Sequence, residues 1–185
     1  MPWLSLIGFM CSGKSSTGRV LARQLGWPHH DTDDMIVEQT GMTVDELFDR
    51  QGEEEFRRLE QEIVETLPPE RDLVLSTGGG LVQNAHTMRI LTVQGPIFWL
   101  RVAEADVLER CRRPWAVKRP LLADALDLEG RIRRLMAERE PLYEKYGAQI
   151  PAGFAHPREA GEHILEILRH REDFRAYFGP SDGGT

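Results

Sequence analysis

The feature that most constrains the fold is the segment Gly8–Ser15, which reads Gly-Phe-Met-Cys-Ser-Gly-Lys-Ser. It follows the apolar run Trp3–Phe9 and opens Lys14–Leu25, in which apolar residues recur at helical spacing. A strand, this glycine spacing and a helix form a loop whose backbone N–H groups surround phosphate oxygens at the helix N-terminus. The segment therefore predicts a binding site for a nucleoside triphosphate.

The chemistry of such a loop assigns its side chains. Lys14 can reach the β- and γ-phosphates of a nucleoside triphosphate, and the Ser15 hydroxyl can ligate Mg²⁺. A kinase, a switch GTPase and a motor ATPase all share this loop. The chain lacks both the Asn-Lys-x-Asp segment of switch GTPases and the Ser-Gly-Gly-Gln signature of transporter ATPases. A small-molecule kinase is therefore favoured, with these loop residues at the phosphates of its nucleotide, which would be the ATP of a kinase of the family considered below: Met10, Cys11, Ser12, Gly13, Lys14, Ser15 and Ser16.

Short apolar runs alternate with helical patterns along the rest of the chain. The runs Asp72–Thr77 and Pro96–Val102 read as strands, and each is followed by a helix-like stretch. Such alternation predicts an α/β fold with a parallel sheet. Two longer helices are predicted at Glu53–Leu67 and from Leu128 to Tyr146, each with one face on the sheet.

Composition narrows the class of partner. A net charge of −7 argues against attraction to nucleic acid or anionic lipid, so a small-molecule partner is expected. No apolar run approaches the ~20 residues of a membrane span, and the first residues lack a basic leader, which together predict a cytoplasmic protein. The two cysteines, Cys11 and Cys111, are too few for a disulfide framework and read as thiols.

Several polar positions allow both a structural and a functional interpretation. The acids Asp31–Asp34 follow a candidate strand end at Trp27–His30, where they could serve Mg²⁺ and an attacking hydroxyl or simply cap a helix. Arg139 lies on the apolar stripe of its helix, so either a protein carboxylate or an anionic ligand must meet it. Gly78–Gly80 indicates a sharp turn or a close approach of a ligand.

Two arginines are ambiguous in the same way. Arg57 could form a surface ion pair with Glu53 and Glu60. Residues 110–119 hold five basic residues and no acidic one, which predicts a mobile basic loop. Arg119, beside Pro120, could close with that loop onto phosphate or remain a solvated charge.

Taken together, the residues form an ordered set of motifs. They are the phosphate loop, Asp31-Thr32-Asp33, Gly52-Glu53 with Phe56-Arg57, Thr77-Gly78-Gly79-Gly80, Arg119-Pro120-Leu121-Leu122, and Arg139 shortly before Pro141-Leu142-Tyr143. Over roughly residues 4–170 the chain resembles the shikimate kinase family of the nucleoside-monophosphate-kinase-like fold. It departs from the common pattern at Cys11, often a glycine, at Trp115 in the lid, and in a C-terminal extension that could either pack or dangle.

The resemblance implies a three-layer fold with a central five-stranded parallel sheet in the order 2-3-1-4-5 and helices on both faces. It implies a kinase domain at residues 1–170, substrate-binding helices at about 33–62, a mobile lid at about 111–124, and a partly disordered extension at 171–185. It also implies a monomer that uses ATP and Mg²⁺ to phosphorylate the 3-hydroxyl of shikimate, a step toward chorismate and the aromatic amino acids.

Site roles come from the same resemblance. Asp33 would orient and deprotonate the hydroxyl, while Arg57 and Arg139 would bind the shikimate carboxylate. The remaining residues would contact the ring (Gly78, Gly79 and Gly80), hold Mg²⁺ (Ser15, and Asp31 through water), act on phosphate (Lys14 and Arg119) or flank adenine (Arg112, His156 and Pro157). A kinase for a gluconate-like acid or a nucleoside monophosphate, or an ATP-binding module without catalysis, remain alternatives.

Overall fold

The computed structural model describes residues 2–69, 71–112, 120–122, 127–150, 154, 156–172 and 174 of the 185-residue chain. Its five strands are β1 Trp3–Ile7, β2 His29–Asp31, β3 Leu73–Ser76, β4 Ile97–Leu100 and β5 Ala148–Ile150. They form one parallel sheet in the order β2-β3-β1-β4-β5. The predicted fold class and strand order are therefore confirmed.

The helices connect these strands on both sides of the sheet. They are α1 Lys14–Leu25, α2 Thr32–Thr40, α3 Val44–Thr66, α4 Ala85–Gln94, α5 Glu104–Cys111, α6 Leu128–Tyr146 and α7 Pro157–Arg169, with 3₁₀ turns at Leu81–Gln83 and Pro120–Leu122. The predicted bounds of α1 and α6 are confirmed. In the described part of the chain, no helix has the length and apolarity to cross a membrane.

Alternate residues of β1 show why the fold has three layers. Leu4 and Leu6 are buried in one apolar cluster with residues of α1 and α7. Trp3 and Ile7 are buried in a second cluster with residues of α4 and α6. Because successive side chains of a strand point to opposite faces, the sheet is covered on both sides.

The predicted strands are each longer than the observed ones. The run Trp3–Phe9 gives a strand that ends at Ile7, because the backbone turns at Gly8 with a φ of 146°. Phe9 is nevertheless buried, at 2% exposure, so burial continues beyond the ladder of the sheet. Apolar content therefore measured the extent of the core rather than the extent of strand pairing.

Helix α3 departs most from the prediction. It begins nine residues before Glu53, at Val44, where Thr43 and Glu46 form a capping box. Gly52, with a φ of 82° and a ψ of 173°, breaks the helical geometry just before the predicted start. The expected packing on the sheet is wrong for most of α3, since its inward residues form a separate cluster with α2: Ile36, Leu47, Phe56, Leu59 and Ile63.

The described end of the C-terminal extension packs onto the domain. Phe174 is fully buried in the cluster of α1 and α7, and its ring lies 6.0 Å from that of Trp27. The sequence left open whether the extension packs or dangles, and at residue 174 it packs. Trp115 and the extension beyond residue 174 lie outside the described residues. The bounds proposed for the domain and for the lid stay predictions.

Phe174→Ala should lower the free energy of unfolding by about 3–5 kcal/mol, because it removes a buried aromatic ring and leaves a cavity. Urea unfolding followed by circular dichroism measures this change. Val93→Ala is the control, since Val93 is 83% exposed and its truncation should stay within about 0.5 kcal/mol of wild type. A Phe174→Ala protein as stable as that control would show that the extension does not pack in solution.

Candidate active site

The phosphate loop is held in its turn by its own lysine. Lys14 is 8% exposed, and its Nζ donates hydrogen bonds to the carbonyl oxygens of Gly8 at 2.9 Å and Phe9 at 2.8 Å. Gly13, the N-cap of α1, has a φ of 93° and no side-chain cap among the described residues. The backbone N–H groups of the first turn are thus oriented toward a ligand rather than a capping side chain.

Asp31 caps a helix and also contacts the phosphate loop. It ends β2 and caps α2, since its Oδ1 accepts a hydrogen bond from the Asp33 N–H at 3.1 Å. Its Oδ2 accepts a second one from the Ser15 hydroxyl at 2.6 Å. Two hard oxygen donors therefore meet beside the first turn of α1, the ligand chemistry that Mg²⁺ prefers.

A cavity of about 500 Å³ opens between the loop, α2, α3 and α6. It brings together every proposed substrate residue: Asp33, Arg57, Gly78, Gly79, Gly80 and Arg139. Ser15, Asp31 and Met10 line it from the side of the phosphate loop. Residues far apart in the sequence therefore share one site, at the carboxyl edge of the sheet where open α/β folds bind ligands.

Arg139 is a buried cation without a carboxylate partner in the described part of the chain. It is 2% exposed, no described carboxylate lies within 4.0 Å, and its Nε has no hydrogen-bond partner among the described residues. Burial lowers the pKa of its guanidinium, and the electrostatic effect of nearby Tyr143 acts in the opposite direction. A charge buried in this way favours an anionic ligand over the structural ion pair that the sequence also allowed.

Arg57 lies in the same cavity with a partner of its own. Its Nη1 is 2.5 Å from Oε2 of Glu60, which is 2% exposed, and its Nη2 is 2.9 Å from Glu53. Burial raises the pKa of Glu60 to about 7, although Arg57 lowers it and Asp33 raises it further. Glu60 is thus an inward group of the site, whereas the sequence analysis treated it only as a surface partner of Arg57.

Protein side chains crowd the glycines after β3. A Cβ on Gly80 would collide with the Arg57 guanidinium, and one on Gly78 with the Glu60 carboxylate. The Tyr143 hydroxyl also donates a hydrogen bond to the Gly79 carbonyl oxygen at 2.5 Å. The glycine run therefore makes room for the groups that line the cavity, which is a third reason beside the two that the sequence suggested.

A second cavity, of about 420 Å³, lies on the other side of the loop. His156 and Pro157 line it as predicted for an adenine wall, together with Cys11, Ser12, Gly13 and Ser16. Arg112 is exposed at the C-cap of α5, and the arginine of that helix that lines the cavity is Arg110, which the sequence did not single out. Arg119 lies outside the described residues, so its role stays a prediction.

Known proteins are similar to this chain in both sequence and structure. The family model described as shikimate kinase matches residues 10–169. The chain belongs to the shikimate kinase family. A shikimate kinase from Thermodesulfovibrio yellowstonii is 38% identical over 161 residues, which cover 87% of this chain and 91% of the relative. The resemblance inferred from the ordered motifs is thereby confirmed.

Solved structures agree with this assignment. A shikimate kinase from Acinetobacter baumannii in complex with shikimate is 32% identical, with a TM-score of 0.84 over 91% of this chain and 93% of that one. The enzyme from Aquifex aeolicus is 34% identical, with a TM-score of 0.75 over 90% and 96% of the two chains. A gluconokinase from Sinorhizobium meliloti, at 16% identity and a TM-score of 0.55 over 89% and 90%, shows the common fold alone.

The raised pKa of Glu60 predicts how stability changes with pH. Between its ordinary pKa of 4.5 and about 7, the folded protein keeps a proton that the unfolded chain releases. The contribution of Glu60 to stability is therefore present below pH 4.5 and is lost as the pH rises through about 7. Glu60→Gln, a mimic of the protonated side chain, should remove this loss and gain about 2 kcal/mol on wild type between about pH 5 and pH 8.

Urea unfolding of both proteins across this pH range measures the difference. The exposed Glu38 of α2 offers a matched control, because Glu38→Gln should change stability by a nearly constant amount. A constant difference between wild type and Glu60→Gln would mean that Glu60 is ionised throughout this range in the folded protein.

Proposed function

We propose that this chain transfers the γ-phosphoryl group of ATP to the 3-hydroxyl of shikimate, giving shikimate 3-phosphate and ADP for chorismate and aromatic amino acid synthesis. Family membership supports the reaction class and the use of ATP. The observation that carries the choice of acceptor is Arg139, a buried cation without a described carboxylate partner that lines the same cavity as Asp33. A small acid with a hydroxyl group satisfies both residues.

On the acceptor side, we assign the shikimate carboxylate to Arg139 and Arg57. Planar guanidinium groups bind carboxylates in a bidentate manner, so two of them can select a small polar acid without a large apolar pocket. Gly78, Gly79 and Gly80 bring the backbone of the β3 edge to the ring. Asp33, in the first turn of α2, is assigned to the reacting hydroxyl.

On the donor side, the loop from Met10 to Ser16 is assigned to the phosphates of ATP, with Lys14 at the β- and γ-phosphates. Ser15 and Asp31 would hold Mg²⁺, the latter through water, and their 2.6 Å contact supports this donor set. When bound, the ion supplies positive charge to the phosphate oxygens. Arg119 is assigned to the transferring phosphate, and Arg112, His156 and Pro157 to adenine.

The proposed chemistry depends on position more than on covalent help. Phosphoryl transfer passes through a loose transition state, so the protein mainly aligns the two substrates and neutralises charge. Asp33 aligns the attacking hydroxyl and accepts its proton on a carboxylate oxygen. The phosphate loop lies between the first cavity, assigned to the acceptor, and the second cavity, assigned to adenine.

The deciding experiment is a coupled assay of ADP release by the purified chain with Mg-ATP. Shikimate should stimulate ADP release strongly, and mass spectrometry should detect shikimate 3-phosphate. Gluconate and nucleoside monophosphates serve as comparison acceptors, since other kinases share this fold. ATP binding without stimulation by shikimate would contradict the proposal in favour of an inactive module, and stimulation by another acceptor alone would reassign the substrate.

We further propose that the protein acts as a cytoplasmic monomer without nucleic-acid or membrane partners. The acidic net charge of −7 supports the absence of such partners. Light scattering should give a molar mass near 21.1 kDa, and a multiple of that mass would contradict the monomer.

Asp33→Asn should lower kcat by about 10²–10⁴-fold and leave ATP affinity unchanged, because the amide cannot accept the proton of the hydroxyl. Steady-state kinetics and calorimetry with ATP separate the two effects. Asp49→Asn, at an exposed position of α3, is the control and should retain wild-type kcat. Retention of more than about a tenth of kcat by Asp33→Asn would exclude a catalytic role.

Arg139→Met should weaken shikimate binding by more than ~30-fold without lowering stability, because no described carboxylate loses a partner. Arg57→Met should also weaken binding by more than ~30-fold, but at pH 8 it should destabilise the fold, because Glu60, ionised there in the wild type, must then stay charged without its cation or take up a proton.

Calorimetry with shikimate and thermal unfolding distinguish these outcomes. Arg134→Met, at an exposed position of α6, is the control for both measurements. Unchanged shikimate affinity in Arg139→Met, together with a large loss of stability, would return Arg139 to a purely structural role.

A further inference from the structure

Two thiols that the proposed reaction does not use lie against each other. Cys11 belongs to the phosphate loop and Cys111 is the last residue of α5, yet their Sγ atoms are 3.7 Å apart. Both residues are half-buried, and neither is in a disulfide. A disulfide places its sulfur atoms at about 2.05 Å, so these two would need to approach by less than about 2 Å.

A hydrogen bond from a side chain to the backbone also holds the two segments together. The Nη1 of Arg110, the neighbour of Cys111, donates a hydrogen bond to the Cys11 carbonyl oxygen at 2.6 Å. Cys11 has a φ of 62°, a conformation that residues other than glycine rarely adopt, so the loop and not local preference sets its position. Two adjacent residues of α5 therefore contact one residue of the loop, and the meeting of the thiols follows from the packing of the segments.

We propose that Cys11 and Cys111 form a reversible disulfide when the protein meets a peroxide, and that this bond weakens ATP binding. Cys11 lines the second cavity from the loop, and Arg110 and Asp106 line it from α5. A bond from residue 11 to residue 111 would tie these two walls together. The inference relies on the proposed function only in assigning ATP to this loop.

The chemistry balances with the peroxide as the only oxidant. One cysteine reacts as its thiolate with the O–O bond of hydrogen peroxide, which gives a sulfenic acid and releases hydroxide that takes up a proton to become water. The second thiol attacks that sulfur, so that the S–S bond forms, the S–O bond breaks and a second water leaves. Two thiols are oxidised by two electrons, and one peroxide is reduced to two waters.

The effect on ATP follows from the demands of the loop. Its backbone N–H groups bind phosphate only in one arrangement, and Lys14 is held by the carbonyl oxygens of Gly8 and Phe9, which are three and two residues before Cys11. Drawing Cys11 toward α5 would disturb that arrangement. Conversely, nucleotide bound at the loop would limit access of peroxide to Cys11, so Mg-ATP should slow the oxidation.

The test uses the full chain, purified in the reduced state and treated with hydrogen peroxide. Mass spectrometry of unreduced peptides should show residues 11 and 111 cross-linked, with a loss of about 2 Da for the two hydrogen atoms. Calorimetry should show at least a tenfold loss of ATP affinity, which dithiothreitol restores. The ATP affinity of each protein after treatment is compared with the affinity of the same protein before treatment, so the variants need not match wild type before treatment.

Cys111→Ser and Cys11→Ser are the matched variants, and each should keep its own ATP affinity after the same treatment. Absence of the cross-linked peptide, or sulfinic acids in its place, would overturn the disulfide. A complete disulfide with unchanged ATP affinity would overturn its effect on the nucleotide. Because these measurements need no acceptor substrate, their failure is distinguishable from failure of the proposed kinase reaction, which untreated protein reports.

Discussion

The burial of both faces of the parallel sheet determines where this chain can place polar chemistry. Residues of β1 alternate between two apolar clusters, which leaves the carboxyl edge as the place for charged groups. The three adjacent strands β2, β3 and β1 end there, beside Asp31, Gly78 and Gly8 respectively. Their order in the sheet, and not their order in the sequence, sets the acid, the glycine turn and the phosphate loop side by side.

The first cavity, which we propose binds the acceptor and call the acceptor cavity, has its charge divided unequally between two arginines. Arg57 has Glu60 and Glu53 as partners, whereas Arg139 has no carboxylate within 4.0 Å among the described residues, and its guanidinium carbon lies 5.9 Å from the centre of the Phe9 ring. A fully paired cavity would be more stable but would have less affinity for an anion. The imbalance, with the raised pKa of Glu60, is the pattern expected where stability has been exchanged for binding.

Much of the fold and of the site could be predicted from the sequence, because they follow from the periodicity of apolar residues and from the spacing of the motifs. The step of three and four residues placed Arg139 on the inward stripe of α6, and the structure buries it. The same rule applied to α3 would have placed Glu60 inward, since it follows Phe56 by four residues and precedes Ile63 by three. Its neighbour Arg57 suggested a surface pair instead, which shows that pairing patterns alone do not reveal burial. The contact of Arg110 with Cys11 could not be predicted, because it depends on how α5 packs beside the loop.

The phosphate loop connects the two cavities mechanically as well as chemically. The Nζ of Lys14 donates two hydrogen bonds to loop carbonyl oxygens, so Lys14 must break or share these hydrogen bonds when it binds phosphate. Gly79, on the side of the first cavity, lies close to the loop, since a Cβ on Gly79 would be 3.1 Å from the Met10 nitrogen. The Tyr143 hydroxyl donates a hydrogen bond to the Gly79 carbonyl oxygen and so holds this residue in place. A displacement of the loop would therefore reach the acceptor cavity through direct packing. In the proposed reaction, donor and acceptor alignment depend on one short backbone segment, which is why a constraint on Cys11 matters beyond the cavity that Cys11 lines.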